Sequence, residues 1–319
     1  MKHGLFSSVL LSTVLLLFSC EKETGIEPKE NRKPIEIKAT FQTMTRVSTV
    51  EEAGLLKCEF DEGDSIGIFA VINGTDSLYI NNQKLVFDYA TKTWKIEVPA
   101  EEEEKNLYYP SHGEALDFYA YYPYDSAYES LPNPLDSHLA PPVALHFAVQ
   151  EDQSTISEED FQKSDFLFST AENQTQNMVL LPFAHKMALL ELRVEEGSTP
   201  IETNNFTVTV TNVYNESDIT ISNGSVALSG ATKTITMLYK DTELGMLPPP
   251  NTHIYWALVP PQTIADNVAL FSFVQSGSLD PLEDFASVYT TPVNGGNPSD
   301  PFPLDISSGN HYIIKVALP

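Results

Sequence analysis

The feature that most limits how this chain can fold is strict two-residue alternation in short blocks. In Ile35-Glu36-Ile37-Lys38-Ala39-Thr40-Phe41, the residues Ile35, Ile37, Ala39 and Phe41 fall on one face and Glu36, Lys38 and Thr40 on the other. A period of two is the pattern of an extended strand with one buried face, and no helix gathers such a set into one stripe. The run 65–72 is more continuously apolar and is bounded by Asp64 and Asn73-Gly74, so it reads as a strand buried on both faces and then a turn. Segments 85–89 and 94–98 flank a turn as a hairpin, and 116–123 is a strand rich in aromatic residues. Further strands are expected at 188–194, 206–213, 234–238, 254–259, 268–274 and 311–318. Helical periodicity is weak, and the 22 prolines punctuate the blocks. The expected class is all-β, built as sandwiches.

A chain of 319 residues makes one large or two medium domains and needs no disulfide staples. The polar stretch 172–177 places a boundary near residue 175, giving domains at 35–175 and 176–319. Glu101–Glu104 reads as a solvated loop. With 44 acidic against 18 basic residues the net charge is −26, and only Arg32, Arg46 and Arg193 carry guanidinium groups. Phosphate binding runs on Lys and Arg, so this balance argues against a nucleic-acid partner. A hydrophobic content of 42% argues against wholesale disorder.

The N-terminus reads as a targeting segment. Met1-Lys2-His3 is a short basic start, and 5–18 is mostly apolar but too short for a confident membrane span. The run ends in Leu17-Phe18-Ser19-Cys20, which resembles a lipoprotein box, with Phe18 bulkier than the usual residue there. On this reading 1–19 is a signal peptide, Cys20 is acylated, and 20–34 is a tether whose Pro28 and Pro34 keep it extended. Two or more acyl chains, at ~0.8 kcal/mol per buried CH2, give stable anchoring. The alternative is an ordinary secretory signal with an incidental cysteine.

Catalytic and metal motifs are missing from the sequence. There is no HExxH, no Gly-x-Ser-x-Gly, no phosphate-cradling Gly-rich loop and no paired cysteines, so no enzyme activity and no cofactor is expected. Cys58 reads as a small buried hydrophobe and His185 as a satisfied structural histidine. Asp61-Glu62-Gly63-Asp64 lacks the ligand series of a calcium loop.

A set of motifs in fixed order remains. After the box and tether comes a first strand ending near Thr45-Arg46, then Phe60-Asp61-Glu62-Gly63-Asp64-Ser65-Ile66-Gly67-Ile68-Phe69 and Leu116-Asp117-Phe118-Tyr119-Ala120-Tyr121-Tyr122-Pro123. Ser164-Asp165-Phe166-Leu167-Phe168-Ser169, Phe183-Ala184-His185-Lys186-Met187-Ala188 and Ser308-Gly309-Asn310-His311-Tyr312 complete it. The series resembles the fimbrillin-like lipoproteins of Bacteroidetes, subunits of type V pili. The resemblance implies two β-sandwich domains of transthyretin-like topology and a surface-exposed location at the outer membrane and in the fimbrium. It also implies an assembly route: an Arg-specific protease cuts after the first strand, that strand leaves, and the groove takes a strand from another fimbrillin subunit. The matching bond is Arg46–Val47.

The displaced strand would carry Ile35, Ile37, Ala39 and Phe41. Losing three large apolar side chains at ~1.5–3 kcal/mol each removes roughly 5–9 kcal/mol, comparable to a domain's stability. The C-terminal segment offers a donor of suitable alternation in Tyr312, Ile314, Val316 and Leu318, unless it is simply the last strand of its own domain. Many polymerising members continue beyond this point, whereas this chain stops at Pro319, which suits a tip or accessory subunit. The implied role is adhesion to a host or bacterial surface glycan or protein. Three Asp-Ser-apolar triplets, at Asp64, Asp76 and Asp125, match the short pattern for O-glycosylation. The first rival is a glycan-binding surface lipoprotein using Tyr108, Tyr109, Tyr119, Tyr121, Tyr122 and Tyr124; the second is a surface hydrolase.

Overall fold

The computed structural model describes residues 32–41, 45–47, 59–98, 105–130, 140–154, 161, 163–198, 200–240, 251–277, 285–292 and 302–318. Signal, box and most of the tether, with Cys20 and also Cys58, lie outside them. The strands among the described residues are β1 (Pro34–Phe41), β2 (Thr45–Val47), β3 (Ser65–Ile72), β4 (Leu78–Asp88), β5 (Thr93–Ile96), β6 (Leu107–Tyr108), β7 (Leu116–Tyr122), β8 (Ala144–Ala148), β9 (Leu167–Gln174), β10 (Met178–His185), β11 (Ala188–Glu195), β12 (Phe206–Thr220), β13 (Val226–Thr236), β14 (Leu238–Lys240), β15 (Thr252–Val259), β16 (Thr263–Ile264), β17 (Ala269–Gln275), β18 (Phe285–Thr290), β19 (Leu304–Asp305) and β20 (Asn310–Ala317). The fold is all-β, as the alternation requires. Among the described residues no helix is long and apolar enough to cross a membrane.

The first sheet runs β5-β4-β3-β7-β9-β10-β1-β6. Its turning point is the join of β9 to β10, which share only the pairs Ala184↔Phe168 and His185↔Leu167. Beyond that corner the inward residues Val179, Leu181 and Phe183 of β10 and Ile35 and Ile37 of β1 share one core with Ile66, Ile68, Leu85, Trp94 and Phe118. The second core lies between the sheet β14-β15-β11-β20-β2 and the sheet β13-β12-β17-β18, to which β8 adds by pairing with β12. The polar stretch 172–177, expected at a domain boundary, covers the end of β9 and the turn into β10, and both strands pair in the first sheet. After β10 the chain enters β11 of the second sheet, which β2 joins earlier in the sequence. Those polar residues are a solvated strand connection, which from sequence alone looks the same as a linker.

Strand β3 accounts for its own continuous apolar run. Ile66, Ile68 and Ala70 belong to the first core, whereas Phe69 faces the second. Gly67 sits under the ring of Tyr121, and a Cβ there would lie 2.2 Å from Tyr121 Cε1. The ring cannot step aside, because its hydroxyl donates to Asn82 Oδ1 at 2.6 Å and lies 2.9 Å from the Asp125 carbonyl.

One ionic group is fully buried in the second sheet. Glu191 Oε1 accepts from Arg193 Nε at 2.7 Å, and its Oε2 lies 2.8 Å from Nε2 of His311. Burial pushes the Glu191 carboxyl up, but His311 and Arg193 together outweigh that and hold it below its ordinary value. A carboxyl with a depressed folded pKa contributes stability above its unfolded value, here about 4.5, and loses it as pH falls through the folded value.

Two outcomes follow. Gly67→Ala should lower stability by about 2–3 kcal/mol through overpacking, read as a fall in the denaturant midpoint. Glu191→Gln should lower stability by about 3 kcal/mol at neutral pH, because it takes the carboxylate away from His311 inside the core. Its unfolding midpoint should then vary less than the parent's as pH falls below about 4.5, where the parent loses the stability this carboxylate contributes.

Candidate strand-exchange site

Strand β1 is held along both edges, unequally. On one side it pairs in parallel with β10 from Glu36↔Met178 to Phe41↔Phe183. On the other it meets β6 antiparallel at only Pro34↔Tyr108 and Ile35↔Leu107. Its start is pinned by backbone bonds from Glu36 N–H to the Asn177 carbonyl (2.7 Å) and from Tyr109 N–H to the Lys33 carbonyl (2.9 Å), and Lys33 Nζ donates to the Thr175 carbonyl. Ile35 and Ile37 are 7% and 2% exposed, while Ala39 and Phe41 are half-buried against the same core. Glu36 and Lys38 point outward, 3.7 Å apart.

The pocket beneath β1 is aromatic. The Phe41 ring lies 4.4 Å from Phe60, and Phe60 in turn packs against Phe87, Trp94, Tyr122 and Phe183. A cleft lined by Ile35, Ile37, Leu85, Trp94, Ile96 and Leu107 runs alongside β1. Since Phe41 is only half-buried, the inward residues of β1 are worth roughly 4–7 kcal/mol of burial. Taking β1 away would also uncover the backbone N–H and C=O groups of β10 along the shared ladder. Any strand with the same alternation can replace both kinds of contact, because the ladder reads backbone and the pocket reads apolar size.

The chain leaves β1 and arrives at once in the second sheet. Strand β2 pairs in parallel with β20 at Thr45↔Asn310, Arg46↔His311 and Val47↔Tyr312. Among the described residues, Arg46 and Val47 therefore lie on a three-residue strand at the end of its sheet, bonded to β20. Such short edge pairings belong to the low end of local opening energies.

The other candidates fall into place as follows. Tyr312, Ile314, Val316 and Leu318 are all buried in the second core, and β20 pairs with β11 from Leu189↔His311 to Glu195↔Ala317. In this structure they serve their own sheet. Of the six tyrosines, Tyr109, Tyr121 and Tyr122 are buried, and the Tyr109 hydroxyl donates to the Gln176 carbonyl. Tyr108, Tyr119 and Tyr124 are half-buried. His185 is buried with Nδ1 2.5 Å from Asp165 Oδ2. The carboxylates at 61–64 close their own turn: Asp64 Oδ2 accepts from Asp61 N–H, and Glu62 accepts from Tyr89 N–H.

Sequence reasoning missed three parts of this site. Strand β10 escaped because its outward residues Met178 and Leu180 are apolar and half-exposed, which blurs the alternation of Val179, Leu181 and Phe183. Two-residue β6 is too short to show a pattern. The pairing of β2 with β20 spans most of the chain, and no local signal carries it.

No curated protein matches the sequence. Among solved structures, a candidate cell adhesion protein from Bacteroides uniformis superposes with a TM-score of 0.55 at 18% identity, over 92% of this chain and 94% of its own. Another, from Bacteroides ovatus, gives 0.58 at 16% identity, over 90% and 92%. At these identities the likeness is one of fold. The family model described as fimbrillin-like matches residues 45–319, nearly the whole of both sheet systems, and the chain belongs to the fimbrillin-like family.

Proposed function

We propose that this chain is a fimbrial subunit that acts in adhesion, is exported as a lipoprotein anchored at Cys20, and is matured by cutting at Arg46–Val47. The cut frees β1, and the vacated slot beside β10 accepts an alternating strand from another fimbrillin subunit. The observation that carries this reading is the position of β1: first among the described strands, seated over an apolar pocket, and followed after a short stretch by the three-residue β2. The family match over residues 45–319, which includes the Arg46–Val47 bond and β10, supports it. The partners are then other subunits, an Arg-specific surface protease and, through the acyl chains, the outer membrane. With β20 seated in its own sheet, that strand is not itself a free donor, which suits a tip or accessory subunit.

Proteolysis tests this directly. The chain has three arginines. Arg193 sits within β11, flanked by β15 and β20 and with its side chain 12% exposed, and a cut after Arg32 would leave β1 attached. An Arg-specific protease should therefore give one stable product whose intact mass starts at Val47, and Arg46→Ala should abolish it. Mixed with a subunit carrying a free strand, the trimmed product should enter filaments visible by electron microscopy. Resistance at Arg46, or a cut product that keeps residues 33–46 bound through such mixing, would count against the proposal.

Release should also follow the burial of β1. Ile37→Ala removes a side chain that is 2% exposed, at a cost of about 2–4 kcal/mol. After cutting, the variant's β1 peptide should leave at least tenfold faster than the parent's, measured by time-resolved mass spectrometry.

A further inference from the structure

Strand β1 and its neighbour β10 are held most firmly at opposite ends. For β1 the firm end is the start. Lys33 Nζ donates to the Thr175 carbonyl and lies 5.8 Å from the centre of the Tyr109 ring, and the Tyr109 N–H donates to the Lys33 carbonyl at 2.9 Å. The Arg32 guanidinium lies beside Tyr79, whose hydroxyl donates to the Tyr108 carbonyl of β6 at 2.9 Å. Pro34 and Ile35 pair with β6, and Ile35 and Ile37 are buried. Toward the other end the β6 pairing has stopped. Among the described residues, the ladder to β10 is what remains there, and Ala39 and Phe41 are half-buried.

Strand β10 is arranged the other way round. Its pairs with β9 are at Ala184 and His185, directly after Phe183, whereas from Met178 to Phe183 its ladder is with β1. When β1 opens, the Phe183 end of β10 stays tied to the sheet, and the Met178 end loses its paired neighbour. The aromatic pocket sits at the tied end. The Phe41 ring lies 4.4 Å from Phe60, which is 5.6 Å from Phe183 and 5.8 Å from Tyr122. Phe183 belongs to β10 and Tyr122 to β7, so withdrawing Phe41 uncovers a pocket whose walls are held by other strands.

We propose that this end of the slot, formed by Phe60, Tyr122 and Phe183, is the landing site for the incoming strand, and that its occupant is one aromatic or large aliphatic side chain of an extended segment, seated as Phe41 is now. The inference rests on the strand-exchange reading above. A charged side chain there would have to leave water without a partner, and a small one would leave the rings uncovered. Exchange then has a direction. The pocket fills first, the new ladder grows along β10 from Phe183 toward Val179, and the Arg32–Lys33 end of β1 lets go last. In that order each N–H and C=O of β10 is paired again soon after it is exposed, whereas removing β1 as a whole would leave the entire edge unpaired at once. Opening from the other end would break the β6 pairing, the Lys33 contacts and the burial of Ile35 before anything replaced them. The Arg46–Val47 bond lies beyond Phe41, so a cut there frees the end that has to open first.

Fluorescently labelled synthetic peptides of residues 33–46 test this on the full chain after an Arg-specific protease has cut it and been removed. Entry of the peptide, followed by anisotropy, should speed up in proportion to its concentration. Phe41→Ala in the peptide should slow entry by about tenfold or more, and Phe41→Leu should recover most of the rate. Ile35→Ala should change entry by less than about twofold while shortening the peptide's stay, because that end joins last. Hydrogen exchange on the uncut chain carrying Arg46→Ala gives a second readout that needs neither cutting nor exchange. Amides at 39–41 should exchange at least about tenfold faster than those at 35–37. Entry slowed as much by Ile35→Ala as by Phe41→Ala, a rate independent of peptide concentration, or exchange at 35–37 ahead of 39–41 would overturn the landing site and leave strand exchange standing. If no peptide enters and the resident β1 never leaves, strand exchange itself fails and the landing site falls with it.

Discussion

The parallel ladder between β1 and β10 is the contact on which the first sheet depends. Strand β10 touches β9 only at its last two pairs, so along most of its length β1 is its neighbour. Among the described residues, strand β6 is joined to the sheet through β1. Removing β1 would therefore open one whole edge of β10, detach β6 and uncover Phe60 and its aromatic neighbours together. The interior strands β3, β7 and β9 are threaded into the chain at both ends and cannot leave without unravelling the sheet. Strand β1, next to the tether, needs a single cut to become a separate peptide. Energetic importance and topological freedom meet in one element, and that is the condition for exchanging a strand while the remaining fold survives.

The second sheet explains why such a cut need not spread. Strand β20 is held by seven register pairs to β11 and by only three to β2. Its start is clamped at Gly309, whose φ of +68° suits glycine, whose N–H donates to the Met187 carbonyl, and where a Cβ would lie 3.3 Å from the His185 carbonyl. Beneath, Glu191 ties β11 to β20 through His311. Losing β2 up to Arg46 thus takes a short backbone ladder from an edge whose position is fixed from the opposite side. The two sheets respond differently to one event: the first loses a wall of its core, and the second loses a few edge bonds.

How much of this could be read from the sequence depended on how local the cause was. The inward set Ile35, Ile37, Ala39 and Phe41 was visible because alternation is a property of seven consecutive residues. The two-sided burial of β3 was visible as a continuous run, although not that its faces serve two different cores. Strand β10 was hidden because exposed Met178 and Leu180 break the contrast that marks a half-buried strand. The polar turn at 172–177 resembled a domain linker because solvent selects the same residues for both. The neighbours of β1 and β2 were beyond reach, since pairings between residue 37 and residue 179, or 46 and 311, leave no mark within any window of sequence.

The acidity of the chain bears on every association it makes. Coulomb repulsion between copies is non-specific and reaches about 10 Å at moderate salt, so it opposes contact over most of the surface. Backbone ladders escape this opposition, because N–H and C=O dipoles carry no net charge and a strand entering beside β10 meets apolar side chains below. A repulsion that acts over most of the surface leaves the slot beside β10, where backbone and apolar contacts act, as a favoured geometry for association. On this chain the acidic composition thus acts as a filter: it contributes nothing attractive, yet it decides which of the attractive sites two copies can use.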